Sequence, residues 1–287
     1  MSEPVRRSHR LKSGALSFLD WGGRARRTLL FSHANGFNAR TYTKLLTPLA
    51  GDFRVFACDL RGHGRTTLPQ SRGLAQDWSV FAEDLVVFLA GLGDGPVVLA
   101  GHSLGATASL FAAARAPDLV AALVLAEPVL LPPAQEDARG ANNSLAQMAA
   151  QRRSTFASFA DAFGYYRGRG IFARWPEEIV ADYLAGGLAE AADGSFRLAC
   201  TPEWESEIFR DAPLGIAHIA AGLACPLAIL RGGIASTATA DEVAEIRRLK
   251  PETRVVTIEG ASHFLPIEEP ACVRDEIRRF ALCAPAG

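Results

Sequence analysis

The stretch that most limits what this chain can become is Val97-Val98-Leu99-Ala100-Gly101-His102-Ser103-Leu104-Gly105-Ala106. Four apolar residues, the length of a short buried strand, run into Gly-His-Ser-Leu-Gly, and an Ala-rich helical run follows at once. This is a G-x-S-x-G pattern in a strand–turn–helix setting. A strand end and a helix start packed this closely need positions without side chains, which Gly101 and Gly105 provide. The bend forces Ser103 into a strained backbone conformation and projects its hydroxyl from the carboxyl end of the strand. The amides that open the next helix point into the same space, which suits a developing negative oxygen. Ser103 is therefore the candidate nucleophile.

Around this bend, strand and helix patterns alternate. Residues 15–21 alternate like a half-exposed strand, and residues 28–32, 54–58, 121–126, 226–230 and 254–258 are short apolar runs of the kind found in central parallel strands. Helices are predicted over 41–49, 78–92, from the bend to Arg115, over 241–249 and from Pro270 to Cys283. The alternation argues for a parallel sheet covered on both faces, an α/β fold. At Glu127-Pro128 the rhythm changes. From 128 to 213 no strong central strand is found, helices are predicted over 143–163, 176–188 and after Pro202, and aromatics crowd between Phe156 and Trp175. The chain thus reads as a core domain, 1–127 with 214–287, carrying an inserted helical cap, 128–213. Most of the cap rings are expected to pack it onto the core, with one or two lining a ligand cavity at the junction.

Composition narrows the function. In 287 residues, 49% are hydrophobic, enough for a large core, and the net charge of −1 gives no electrostatic case for nucleic acid or an anionic membrane. Five cysteines, Cys58, Cys200, Cys225, Cys272 and Cys283, lack paired or metal-type spacing and read as reduced thiols of a cytoplasmic protein. The polar start, Met1-Ser2-Glu3-Pro4-Val5-Arg6-Arg7, has no apolar run behind it and does not resemble a signal peptide, and no run is long enough to span a membrane. The oligomeric state is left open.

A serine hydroxyl needs a base within hydrogen-bond reach. Among six histidines, His263 is the best placed, because it follows the last strand at the carboxyl edge of the sheet. His33 is expected to brace the loop after strand 28–32, His102 to point away from Ser103, and His63 to be structural, while His9 and His218 have no supporting context. A tetrahedral intermediate needs two amide donors. One is expected from Leu104, directly after the nucleophile, and the second from the loop Ser32-His33-Ala34-Asn35-Gly36-Phe37, with Asn35 the favoured donor.

Four segments, Ser32-His33-Ala34-Asn35-Gly36, Asp59-Leu60-Arg61-Gly62-His63-Gly64, Gly101-His102-Ser103-Leu104-Gly105 and Gly260-Ala261-Ser262-His263-Phe264, together resemble the α/β-hydrolase fold superfamily over nearly the whole chain. The resemblance implies a mostly parallel eight-stranded sheet, a cap after the sixth strand, and a triad in the order serine, acid, histidine. The commonest pattern places an aspartate after the penultimate strand, where this chain reads Arg231-Gly232-Gly233-Ile234-Ala235-Ser236-Thr237, with Ala235 at that position. Glu127, directly after the strand beside the elbow strand, is the replacement that keeps the chain order, and Asp241 is its rival. An acid at this position is similar to one branch of the haloalkane dehalogenases, whose first loop also carries an asparagine matching Asn35. Their nucleophile is aspartate, so dehalogenation is disfavoured here, as is aspartyl epoxide hydrolysis. Asp84, Glu268 and Glu269 read as helix-surface or capping residues, and the bland account of Glu127 pairs it with an arginine such as Arg61.

The expectation is a serine hydrolase that cleaves an ester, thioester or lactone of a mainly hydrophobic small molecule through an acyl-enzyme, with no metal and no organic cofactor. A carbon–carbon bond hydrolase, a cofactor-free perhydrolase and a non-catalytic small-molecule-binding module remain the alternatives.

Overall fold

The computed structural model describes residues 3–23, 25, 27–133, 140 and 143–283. Met1, Ser2 and the side chain of Cys283 lie outside the described residues. Eleven strands are found among them: β1 (Val5–Leu11), β2 (Gly14–Gly22), β3 (Thr28–Ser32), β4 (Arg54–Cys58), β5 (Val97–His102), β6 (Val120–Ala126), β7 (Thr155–Phe156), β8 (Leu188–Glu190), β9 (Phe196–Leu198), β10 (Leu227–Gly232) and β11 (Arg254–Ile258). Eight form one sheet in the order β1-β2-β4-β3-β5-β6-β10-β11. Only β2 runs antiparallel to its neighbours, and every other pairing is parallel.

The sheet is central because its inner strands are apolar on both faces. β3 and β5 are buried at every residue. Leu30 and Leu99 face one side, with Phe81 and Phe88 of α2 (Ser79–Leu92) and Leu110 of α3 (Leu104–Arg115); Leu29, Phe31 and Val98 face the other, with Leu45 of the short helix α1 (Thr43–Leu46) and Ile277 of α11 (Pro270–Cys283). The residue order β3, β5, β6 across the sheet brings three strand ends, at Ser32, His102 and Ala126, to one edge. Loops that leave this edge build the site, as at the carboxyl ends of open α/β sheets generally.

Three sequence expectations change. β1 was not expected, since Val-Arg-Arg-Ser-His-Arg-Leu has no apolar periodicity; it is held as an exposed edge strand by its register with β2. The helix expected over 41–49 is the single turn α1 between two 3₁₀ turns, because Pro48 lacks the N–H that would continue it. The helix expected over 143–163 is broken into α4 (Ser144–Ala150), strand β7 and α5 (Phe159–Tyr166). Ser158 breaks it by starting a new helix, its side chain accepting from Asp161 N.

The inserted segment continues with α6 (Glu177–Gly187), β8, β9 and α7 (Pro202–Arg210), and β7, β9 and β8 pair into a small antiparallel sheet. The chain returns through α8 (Ala217–Ala221), β10, α9 (Ala240–Leu249), β11 and the short α10 (Leu265–Glu268) to α11. Tyr166, Phe172, Trp175 and Tyr183 pack edge-on or tilted against one another and join Phe37 and Tyr42 of the core in one apolar cluster. The insert is pinned to the core by Asn38 Nδ2, which donates to Tyr183 O (2.8 Å), and by Arg40 with Asp182 (2.8 Å). Among the described residues no helix is long and apolar enough to cross a membrane.

Candidate active site

Ser103 sits at φ 54°, ψ −118°, between the last residue of β5 and the first turn of α3. That conformation is costly for a residue with a Cβ and is held by its surroundings. Ser103 N donates to Ala126 O (3.0 Å), and Ser103 O accepts the first helical hydrogen bond, from Thr107 N (3.0 Å). The helix can start this close to β3 only because residue 105 is glycine: a Cβ there would lie 2.3 Å from Ser32 O and 2.5 Å from His33 O. The N–H groups of Leu104, Gly105 and Ala106 precede that first helical bond and therefore lack intrahelical acceptors.

The surroundings of Glu127 are equally well defined. Glu127 follows β6 at φ 49° and is fully buried. Its Oε2 lies 3.1 Å from His263 Nδ1 and accepts from Thr237 N (2.8 Å); its Oε1 accepts from Gly232 N (2.5 Å) and Ser236 Oγ (2.7 Å). Burial alone would raise its pKa, but the hydrogen bonds from His263, Gly232 and Ser236 outweigh burial and hold the carboxyl below its usual range. Nδ1 of His263 faces acceptors on Glu127 and Thr237 (3.2 Å), which assigns the proton to Nδ1 and leaves Nε2 basic. Gly232 also brings the His263 loop in, since a Cβ there would lie 2.5 Å from Ala261 O.

The structure thus joins Glu127 to His263 and leaves Asp241 exposed in the first turn of α9. Glu127 is not paired with Arg61, whose guanidinium is buried against Asp84 at 2.6 and 2.8 Å. Asp84 is therefore not the surface residue that its helical position suggested. Ser236 and Thr237 were missed as partners of the acid. Their signal was the vacancy at Ala235: the loop that lacks the usual carboxylate supplies donors to one arriving from β6 instead, and Ala235 itself turns at φ 48°. Ser103 is 8% exposed, and among the described residues its Oγ makes no hydrogen bond. The expected serine–histidine contact is not closed in this conformation, as is common before substrate tightens such bonds.

The loop after β3 is braced as expected. His33 Nδ1 donates to Ala34 O (2.7 Å) and its Nε2 accepts from Leu60 N (2.8 Å). His63 Nδ1 donates to Arg61 O (3.0 Å) and its Nε2 accepts from Gly36 N (3.0 Å). Burial pushes His33 down to about 4, and burial with the neighbouring His33 pushes His63 down to about 3. Asn35 differs from the simplest reading, because its side-chain amide is committed to Glu205 O (3.0 Å).

Over the site lie Phe37, Trp175 and Phe264. Phe37 stacks on Phe264 at 6.1 Å and meets Trp175 edge-on at 5.3 Å, and Phe264 adjoins the His263 ring at 5.4 Å. Beside them, Arg152 donates to a Glu205 carboxylate oxygen and to Tyr166 Oη (3.1 Å) and Tyr183 Oη (2.5 Å). A small cleft lined by Gly36, Phe37, Tyr183 and Cys200 lies at this junction.

An α/β sheet of this order, a serine at a strained strand-to-helix bend and a carboxylate–histidine pair on neighbouring loops define a hydrolase architecture. The chain belongs to the alpha/beta hydrolase family, whose model matches residues 29–274. It is 27% identical over 252 residues to the 2-(acetamidomethylene)succinate hydrolase of Mesorhizobium japonicum, covering 88% of this chain and 87% of that protein. It is also 27% identical over 283 residues to the esterase Rv0045c of Mycobacterium tuberculosis, covering 96% of this chain and 89% of that one. A crystal structure of E-2-(acetamidomethylene)succinate hydrolase superposes with a TM-score of 0.82 at 24% identity, covering 98% of this chain and all of that chain. These relatives support a hydrolase.

Proposed function

We propose that the chain is a serine hydrolase that cleaves a carboxylic ester of a small, neutral, mainly hydrophobic molecule. The contact between Glu127 and His263 carries this reading, since a carboxylate on Nδ1 leaves Nε2 free to serve as the base for the elbow serine. In the reaction His263 Nε2 takes the proton of Ser103 as Oγ attacks the acyl carbon. The N–H groups of Leu104 and Asn35 hold the oxyanion, and Glu127 stabilises the charged imidazole. The protonated His263 then donates to the leaving alkoxide. Water, deprotonated by the same nitrogen, releases the acid from the acyl-enzyme.

In this reading residues 128–213 act as the cap that shapes the acyl pocket, with Phe37, Trp175 and Phe264 as its apolar walls. A neutral substrate is favoured over the dicarboxylate that names one relative, because Arg152, a cation beside the site, is already paired with Glu205. The cytoplasm suits the separated thiols of Cys58, Cys200 and Cys225. The test is a fluorophosphonate probe together with short p-nitrophenyl esters. Wild type is expected to be labelled at Ser103 at neutral pH and to turn the esters over, and Ser103→Ala to do neither. Absence of label on wild type would favour a binding module, and label without ester turnover would favour carbon–carbon cleavage or perhydrolysis.

A further inference from the structure

The proposed triad leaves two fully buried polar residues at its centre without a role, Tyr42 in the helical turn after the first loop and His102 in the elbow. They are joined. Ala34 N donates to Tyr42 Oη (3.1 Å), Tyr42 Oη lies 2.7 Å from His102 Nδ1, and His102 Nε2 lies 2.7 Å from His263 O. The direction of every link follows from chemistry. A carbonyl only accepts, so His102 Nε2 carries a hydrogen and donates to His263 O. Burial, together with the neighbouring His263, holds His102 well below the ordinary histidine range, so the ring is neutral and Nδ1 is an acceptor. Tyr42 must then donate its O–H to Nδ1, and its oxygen is left free to accept from Ala34.

The ends of this chain are the parts that the reaction needs in register. Ala34 precedes Asn35 in the oxyanion loop, His102 precedes the nucleophile, and the carbonyl belongs to the residue that carries the base. Among the described residues no link has a spare partner, so a shift at either end would strand a buried polar group. We infer that Tyr42 and His102 are positioning residues, a one-way hydrogen-bond relay that fixes the oxyanion loop, the elbow and the His263 backbone relative to one another. The role in catalysis rests on the serine-hydrolase reading, whereas the relay itself is a property of the folded chain.

The experiment separates the two. Nuclear magnetic resonance of the full-length protein with ¹⁵N-labelled histidine is expected to show His102 as the neutral Nε2–H tautomer from pH 5 to pH 8. An Nδ1–H tautomer, or a ring that charges in that range, would overturn the relay whatever the enzyme does. With p-nitrophenyl acetate, Tyr42→Phe is expected to lower kcat by about tenfold to a hundredfold, the scale of a small misplacement, with KM within about twofold. Only a glutamine amide can occupy the Nε2 position, so His102→Gln is expected to keep roughly fivefold more kcat than His102→Asn. Equal loss in the two His102 variants, or a Tyr42→Phe effect confined to KM, would refute positioning. Should wild-type Ser103 take no fluorophosphonate label, the serine reading fails while the tautomer still decides the relay, and the tautomer also decides it if the variants do not fold.

Discussion

Burial alone would raise the pKa of Glu127, yet it is held below the usual carboxylate range, because His263, Gly232, Ser236 and Thr237 all direct donors at its two oxygens. Glu127→Gln keeps the shape but presents an amide, which cannot stabilise a charged His263. It is expected to lower kcat by about 10³–10⁴, while Asp241→Asn stays near wild type, both read from steady-state ester hydrolysis. The histidines of the first loop carry a second prediction. His33 and His63 have folded-state values of about 4 and about 3 against 6.5 for the free side chain. The unfolded chain therefore binds more protons below pH 6.5, and stability is intact above that value and lost as the pH falls towards 4. Between pH 7 and pH 5 the loss is on the order of 2 kcal/mol for each ring, readable from urea unfolding at the two pH values. His33→Gln can still accept from Leu60 N but does not titrate, and is expected to remove about half of this slope. The bend at Ser103 and the place of His263 were legible because the G-x-S-x-G spacing and the position after the last strand are local facts. Ser236, Thr237 and Tyr42 were not, because a hydroxyl has no sequence signal until folding supplies its partner.

The elbow is an element held together by the absence of atoms. Gly105→Ala places a methyl group against Ser32 O and His33 O, and both are backbone, so neither can swing aside. It is expected to cost about 1–3 kcal/mol in chemical denaturation and to misplace Ser103 and the Leu104 N–H together. The junction of insert and core depends instead on a charge pair. Glu205 is almost wholly buried, and its pairing with Arg152 sits directly over Gly36 of the loop after β3. Arg152→Met leaves that carboxylate uncompensated and is expected to cost about 3–5 kcal/mol, whereas Arg152→Met with Glu205→Leu costs clearly less, which a double-mutant cycle measures. Helices α2, α3, α9 and α11 and the central strands were legible within a residue or two, since their periodicity is decided by which side faces the core. Strand β1 and the break between α4 and α5 were not: edge pairing and a serine cap act through neighbours that a window of sequence does not contain.

At the scale of the whole molecule, the sheet delivers its loops to one edge and the insert lays aromatic rings over them. The charge of Arg152 at that junction is already matched by Glu205, so a substrate carboxylate would have to compete for it. Neutral p-nitrophenyl butyrate is therefore expected to exceed the p-nitrophenyl half-ester of succinic acid by roughly tenfold or more in kcat/KM. A preference for the anionic ester would reassign Arg152 to the substrate.

The sequence by itself determined the α/β class, the bend at Ser103, the place of His263 on the loop after the last strand and that of Glu127 after the strand beside the elbow strand, since each rests on spacing along the chain. Only the tertiary structure put Glu127, and not Asp241, against His263, placed Asn35's side chain on Glu205, and joined Tyr42, His102 and His263 in one line. Those outcomes depend on which residues, more than a hundred positions apart in the first two cases, meet at one sheet edge. Distance and direction in space set the strength of a hydrogen bond, and neither is written in residue order.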